Sequence, residues 1–412
     1  VNDFVAVIDE RLERFFRECS LAEQRDTQSG DPPNFCAHAT KSKLELHLET
    51  TGQPLRTLNW GSNPGFRATQ VMRSSGISTF SLFSLAVAVA ILTAVVFSAT
   101  AGAPTYPPIP APGNHDESLE LGAGASKTAR TFIVHVPPGF DGKSKLPVVI
   151  MLHGAGGSGA GAIAQTGWAA KSDREGFIAV FPDGTPPRAA LPPRFLTNPR
   201  LWNDGSGRGA IGVGKVDDLG FISAMIDFLE ARYAADPARI YCTGFSNGAS
   251  MTFSVGLNLS NRIAAIAPVS GHLWQREKQL AYPVALLFII GTKDPLNPIG
   301  GGKVKLPWEM TQERPPVEDS LREWERMLGC GPEVQTARGN GVLEITYDRC
   351  AKGGEVEYYR VRGLGHVWPG GQNRLPEKWV GKPSDNLNAT DVIWEFFKMH
   401  PRTQAVAAPT PP

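Results

Sequence analysis

The sequence predicts an α/β fold: a mostly parallel, doubly wound sheet with helices over its faces, in a single catalytic domain. Three observations carry this. Residues 148–152 and 284–290 are unbroken apolar runs, the mark of strands buried on both faces. Helix-length segments at 216–233, 247–259, 317–327 and 390–399 are spread between and after the strand-like runs. Between residues 239 and 259 the chain reads strand, sharp turn, helix, and the turn is Gly244-Phe245-Ser246-Asn247-Gly248.

That turn is the most informative element. A Gly-x-Ser-x-Gly pattern alone is weak, because glycine and serine are common. Set between a strand and a helix it matches the nucleophile elbow of the α/β-hydrolase fold, where the serine is held in a strained conformation above the sheet. A serine hydroxyl needs a base to take its proton and a carboxylate to orient that base. In this fold the order is serine, acid, histidine. Asp294 follows the strand at 284–290 in Gly291-Thr292-Lys293-Asp294-Pro295. His366 follows a strand-like run at 355–361, in Gly365-His366-Val367-Trp368-Pro369-Gly370-Gly371. All three thus lie past strand ends, where open parallel sheets place their sites.

An oxyanion hole needs backbone N–H donors. One is expected from Asn247, directly after the serine. The other is assigned to Ala155, in the loop His153-Gly154-Ala155-Gly156-Gly157 that follows the strand at 148–152. Trp202 and Trp368 are expected to contact substrate. The competing readings are an ordinary turn serine, an Asp-Pro turn former, and His272 as the base. His272 also follows a strand but precedes the acid. The Gly-rich loop lacks the Gly-Lys-Ser/Thr ending of a phosphate cradle.

Residues 130–398 resemble the esterases that include polyhydroxybutyrate depolymerases, feruloyl esterases and related secreted esterases. The resemblance rests on Val134-His135-Val136-Pro137-Pro138-Gly139-Phe140, Leu152-His153-Gly154, Val216-Asp217-Asp218-Leu219-Gly220-Phe221, the elbow, Gly291-Thr292-Lys293-Asp294, and above all the Gly-His-Val-Trp-Pro-Gly-Gly run. It implies Ser246 as nucleophile, Asp294 as acid and His366 as base, in agreement with the reading above. One departure stands at Asp204-Gly205-Ser206-Gly207-Arg208-Gly209, where many relatives carry paired cysteines. The expected substrate is an ester: an oligomeric hydroxyalkanoate, a feruloyl ester or another small ester. A serine peptidase and an acetyl-polysaccharide esterase are the alternatives on the same fold, and a non-catalytic binding protein is a third class. No cofactor and no metal is implied.

The remaining segments concern export. Residues 80–97 are apolar, Met72-Arg73 precedes them and Ala99-Thr100-Ala101 follows, the pattern of a secretory signal peptide over 72–101. The run is also long enough to anchor in a membrane if it is retained. The chain opens on valine, and residues 1–71 read as a leader ahead of a true start at Met72. The rival reading is a genuine cytoplasmic segment with helical spacing at Phe4, Val7, Ile8, Leu12 and Phe15. Residues 102–126, with five prolines, read as a linker, 127–400 as the catalytic domain and 401–412 as a disordered tail. Of five cysteines, Cys330 and Cys350 are placed to close a short bridged loop, which favours an extracytoplasmic location, while Cys242 reads as a buried free thiol. A net charge of +1 without basic clusters argues against nucleic acid as a partner.

Overall fold

The computed structural model describes residues 109–122, 127–207, 216–306, 311–347 and 349–402. The readings for 1–71, 72–101 and most of the tail therefore lie outside the described residues, as do Cys19 and Cys36. Twelve strands are β1 (Gly113–Leu121), β2 (Thr128–Val136), β3 (Leu146–Leu152), β4 (Ile178–Pro182), β5 (Ala235–Phe245), β6 (Ala265–Val269), β7 (Ala285–Gly291), β8 (Gly302–Lys305), β9 (Thr311–Arg314), β10 (Glu333–Gly339), β11 (Val342–Tyr347) and β12 (Val356–Val361). The helices are α1 (Gly159–Thr166), α2 (Trp168–Glu175), α3 (Asp218–Arg232), α4 (Asn247–Asn258), α5 (Val317–Leu328), α6 (Glu377–Val380) and α7 (Ala389–Met399).

Ten strands form one sheet in the order β1-β2-β4-β3-β5-β6-β7-β12-β11-β10. The central six, β4 to β12, run parallel. Antiparallel strands extend both edges. This is the α/β-hydrolase type of sheet. The apolar runs predicted as doubly buried strands are central β3 and β7, whose residues from Val148 and Ala285 onward are all buried. Alternate side chains serve opposite faces. Val148, Ile150 and Leu152 join a core with Phe221, Met225 and Phe253, whereas Val149 and Met151 join one with Trp168, Trp394 and Phe397.

The four predicted helices appear as α3, α4, α5 and α7, with ends shifted by no more than two residues. At the start of α3 the reason is a cap: the Asp217 carboxylate accepts the Gly220 N–H at 2.8 Å, so the helix begins one residue later, at Asp218.

One boundary needs correction. Residues 113–121 of the expected linker form β1, paired with β2 over nine positions. Its burial alternates strictly, with Leu119 and Leu121 packed against the core. The strand is hidden in the sequence because its other positions are His115, Asp116, Glu117 and Glu120, polar residues suited to a solvated edge. Tyr233 fastens it by donating its hydroxyl to the Glu117 carboxylate.

Cys330 and Cys350 form a disulfide, and Cys242 is a buried free thiol whose pKa burial pushes up to about 12. The bridge joins the end of α5 to the loop before β12 across 20 residues. Replacing both cysteines by serine is expected to cost about 3 kcal/mol, from the entropy the loop regains when unfolded. Urea unfolding of the wild-type and double-serine proteins measures this; an unchanged midpoint would show that the bridge adds nothing. Among the described residues, no helix is long and apolar enough to cross a membrane.

Candidate active site

Ser246 ends the turn between β5 and α4 with φ 58° and ψ −116°. A non-glycine residue in that region is strained and persists only where its surroundings impose it. Here they do so by close approach. A Cβ on Gly244 would lie 2.4 Å from the Gly248 carbonyl, and one on Gly248 would lie 2.1 Å from the Leu152 carbonyl. The two glycines thus let strand, helix and the neighbouring loop meet.

His366 lies on the loop after β12, and its imidazole sits 4.8 Å, centre to centre, from the ring of Phe245, the residue before the serine. His366 Nδ1 donates to Asp294 Oδ2 at 2.8 Å. Asp294 Oδ1 accepts the N–H groups of Leu296 and Asn297, each at 2.8 Å. Both side chains are buried. Burial alone drives the Asp294 pKa up, but His366 and the two N–H groups outweigh it and hold the carboxyl below its ordinary range. The carboxyl therefore stays ionised, and its bond fixes the histidine tautomer with the proton on Nδ1.

His272, the competing histidine, meets a different side chain. Its Nε2 contacts the Asn297 side-chain oxygen at 3.2 Å, and Asn297 in turn donates to the Ser270 carbonyl at 2.6 Å. These two residues support the strand ends around Asp294. Sequence reading gave Asn297 no role, and an asparagine in an Asp-Pro loop carries no signal of one.

The loop after β3 is built around His153. Its Nε2 accepts the Gly184 N–H at 3.0 Å, so its Nδ1 carries the proton and donates to the Gly154 carbonyl at 2.7 Å. Gly156 and Gly157 spend their N–H groups on the carbonyls of Arg200 and Gly154, at 2.8 and 2.9 Å. Among the described residues the Ala155 N–H enters no such bond. Asn247 opens α4, where the first N–H groups have no partner within the helix. A Cβ built on Gly154 would stand 3.4 Å from the Ser246 Cβ, so the loop borders the serine.

Trp202 and Trp368 are the two tryptophans expected to contact substrate. Both are about 1% exposed. Trp202 donates its indole N–H to the His153 carbonyl at 2.9 Å, and its backbone is clamped by the Asn247 side chain. Trp368 donates to Thr390 Oγ1 at 3.1 Å. Each indole has its single donor occupied inside the protein, so both brace the loops that carry functional groups. Nothing in the sequence separates a tryptophan beneath a site from one within it.

A cleft of about 330 Å³ opens along the His153–Gly157 loop. Its wall includes Phe195, Arg200, Phe245, Arg374 and Leu375. Sequence reading missed both arginines, which lie far apart in the chain and in no motif.

Comparison with known proteins agrees with the fold. Residues 141–305 match the Phospholipase/Carboxylesterase family. A feruloyl esterase B of Piromyces equi is 30% identical over 250 residues, covering 58% of this chain and 42% of that protein. A protein of Nocardia uniformis subsp. tsuyamanensis that bears an esterase's name is 26% identical over 300 residues, covering 67% and 83% of the two chains. Over these stretches the chain is similar to esterases. A poly(3-hydroxyalkanoate) depolymerase C of Paucimonas lemoignei is 30% identical to this chain over 137 residues, 33% of this chain and 30% of that one. The chain thus spans less than half the length of the feruloyl esterase and of the depolymerase.

Acid should destabilise the fold through His153. Burial holds its pKa near 4, against an ordinary 6.5. The unfolded chain therefore takes up the proton first as pH falls. The stabilisation from neutral His153 is complete above about pH 6.5 and is lost as pH falls toward 4, on the order of 3 kcal/mol in all. The urea midpoint of a His153→Gln variant should vary less between pH 7 and pH 4 than that of the wild type. Equal slopes would remove His153 as the cause.

Proposed function

We propose that the protein is a serine esterase acting by two-step acyl transfer. Ser246 is the nucleophile, His366 the base and Asp294 the carboxylate that orients it. The Asn247 and Ala155 N–H groups receive the oxyanion. The observation that carries this reading is the His366–Asp294 bond of 2.8 Å beside a serine held at φ 58°. His366 Nε2 takes the serine proton as Ser246 Oγ attacks the ester carbonyl. The same proton then passes to the departing alcohol. Water repeats the sequence on the acyl-enzyme and frees the acid. No step calls for a cofactor or a metal.

The substrate class follows from the names of the relatives: feruloyl esters and oligomeric hydroxyalkanoates first. Acetylated polysaccharide is the second reading, favoured by similarity to a bifunctional acetylxylan esterase/xylanase of Neocallimastix patriciarum, 25% identical over 259 residues. Secretion is part of the proposal. The disulfide supports it, since such bridges persist in oxidising compartments.

An ester panel tests the reading. Hydroxybutyrate oligomers, methyl ferulate, acetylated xylan and short p-nitrophenyl esters are compared by kcat/KM. Turnover of at least one class, abolished by a fluorophosphonate that labels Ser246, is the expected result. A protein that hydrolyses none of them and resists the label is not a serine esterase.

A further inference from the structure

The cleft along the His153–Gly157 loop has a charge pattern that ester hydrolysis by itself does not require. Arg200 and Arg374 both line it. Arg200 has one partner there, Asp183, at 3.6 Å from its Nε, beyond hydrogen-bond length. The Asp183 carboxylate already accepts the Gly159 N–H at 2.9 Å and the Thr131 hydroxyl at 3.0 Å. Arg374 donates only to the Gly161 carbonyl, at 3.4 Å, and that group carries no charge to offset its own. Among the described residues no carboxylate lies within 4.0 Å of Arg374. His153, the remaining titratable group of the wall, is neutral near pH 7. Arg200 thus has only an already engaged carboxylate near it and Arg374, among the described residues, has none, which leaves a net positive cleft.

Phe195, Phe245 and Leu375 give the wall apolar surface, beside Ser158 and Gln165. A cleft of this size with apolar sides and a few convergent polar groups is suited to a small organic group. Its wall includes Gly154 and Phe245, which border Ser246. Guanidinium groups match a carboxylate in geometry and charge.

We propose that this cleft receives a carboxylate carried by the ester substrate, with Arg200 and Arg374 as its counter-charges. The proposal rests on the esterase reading above and adds a substrate class to it: esters with an acidic end. An acid on the acyl part and an acid on the alcohol part each give their own arm of the test.

In the acyl arm, mono-p-nitrophenyl adipate is compared with its methyl ester, reading p-nitrophenol release. In the alcohol arm, 4-butyryloxybenzoate is compared with methyl 4-butyryloxybenzoate, reading butyrate release. The full-chain protein is used throughout. In at least one arm, kcat/KM for the acid should exceed that for its neutral partner by about tenfold or more, the size of one charge-assisted contact. That ratio should fall about tenfold in Arg374→Gln and further in the double variant with Arg200→Gln. It should also shrink as salt is raised to about 0.5 M, which a merely structural role for the arginines would not produce. A ratio no greater than one in both arms overturns the proposal, and so does a preference that survives the double variant. If neutral esters are cleaved without preference for acids, only the carboxylate-binding cleft fails. If no ester is cleaved in either arm, the esterase reading falls and this proposal falls with it.

Discussion

Replacing Ser246 by alanine is expected to lower kcat for ester hydrolysis by about a million-fold, leaving only what binding and the oxyanion donors supply. His366→Ala should lose nearly as much. The double variant should be little worse than either, because the three residues act as a unit. The loss should come without unfolding. Alanine keeps the Cβ of serine, so the backbone at φ 58° meets the same constraint as before. Glycine at 246 is informative for the opposite reason. It removes the Cβ that makes this conformation costly, so Ser246→Gly should be as inactive as alanine yet more stable by about 1 kcal/mol. Rates on a p-nitrophenyl ester and urea midpoints measure both effects. An alanine variant that retains a substantial share of the activity would remove Ser246 as the nucleophile.

Gly248→Ala should be strongly damaging for a single added methyl group. Its Cβ would lie 2.1 Å from the Leu152 carbonyl and 2.5 Å from that of His153. Those atoms end β3 and begin the loop that offers the Ala155 donor, and neither is a flexible side chain that moves aside. The strand end or helix α4 must shift, at a cost of about 3 kcal/mol or more. The shift also displaces the serine from its oxyanion donors, so kcat should fall by at least about a hundredfold. Gly300→Ala is the control. A Cβ there meets nothing within 4 Å, and its backbone is not left-handed. Its stability should change by less than about 1 kcal/mol. A Gly248→Ala protein with wild-type stability and rate would contradict the close approach of α4 to β3.

Local sequence carried the fold where its signal was redundant. The run at 284–290 could hardly be anything but a buried strand, because seven consecutive apolar residues have no polar face to give to water. The helix after Ser246 was legible from the glycines and the turn around it. Edge elements were less legible. β1 has too few apolar residues to stand out, and β10 is exposed along its whole length. Such strands are held by the backbone of a neighbour, which no local pattern records. The exposure of tryptophans was not legible either. Trp202 and Trp368 sit in motif-like stretches, and only packing places both indoles inward.

The sequence by itself determined the order of the chemistry. A serine on a turn between strand and helix, an aspartate and then a histidine, each after a strand, follow from residue type and local periodicity. Those are properties of neighbours in the chain. What the tertiary structure decided is which distant groups meet. It chose His366 over His272 as the partner of Asp294, set the His153 tautomer through the N–H of Gly184, and brought Arg200 and Arg374 to one cleft from 174 residues apart. The physical reason is that burial, charge and hydrogen bonding act through space over a few ångströms. A parallel sheet gathers its loops at one edge however far apart they lie in sequence.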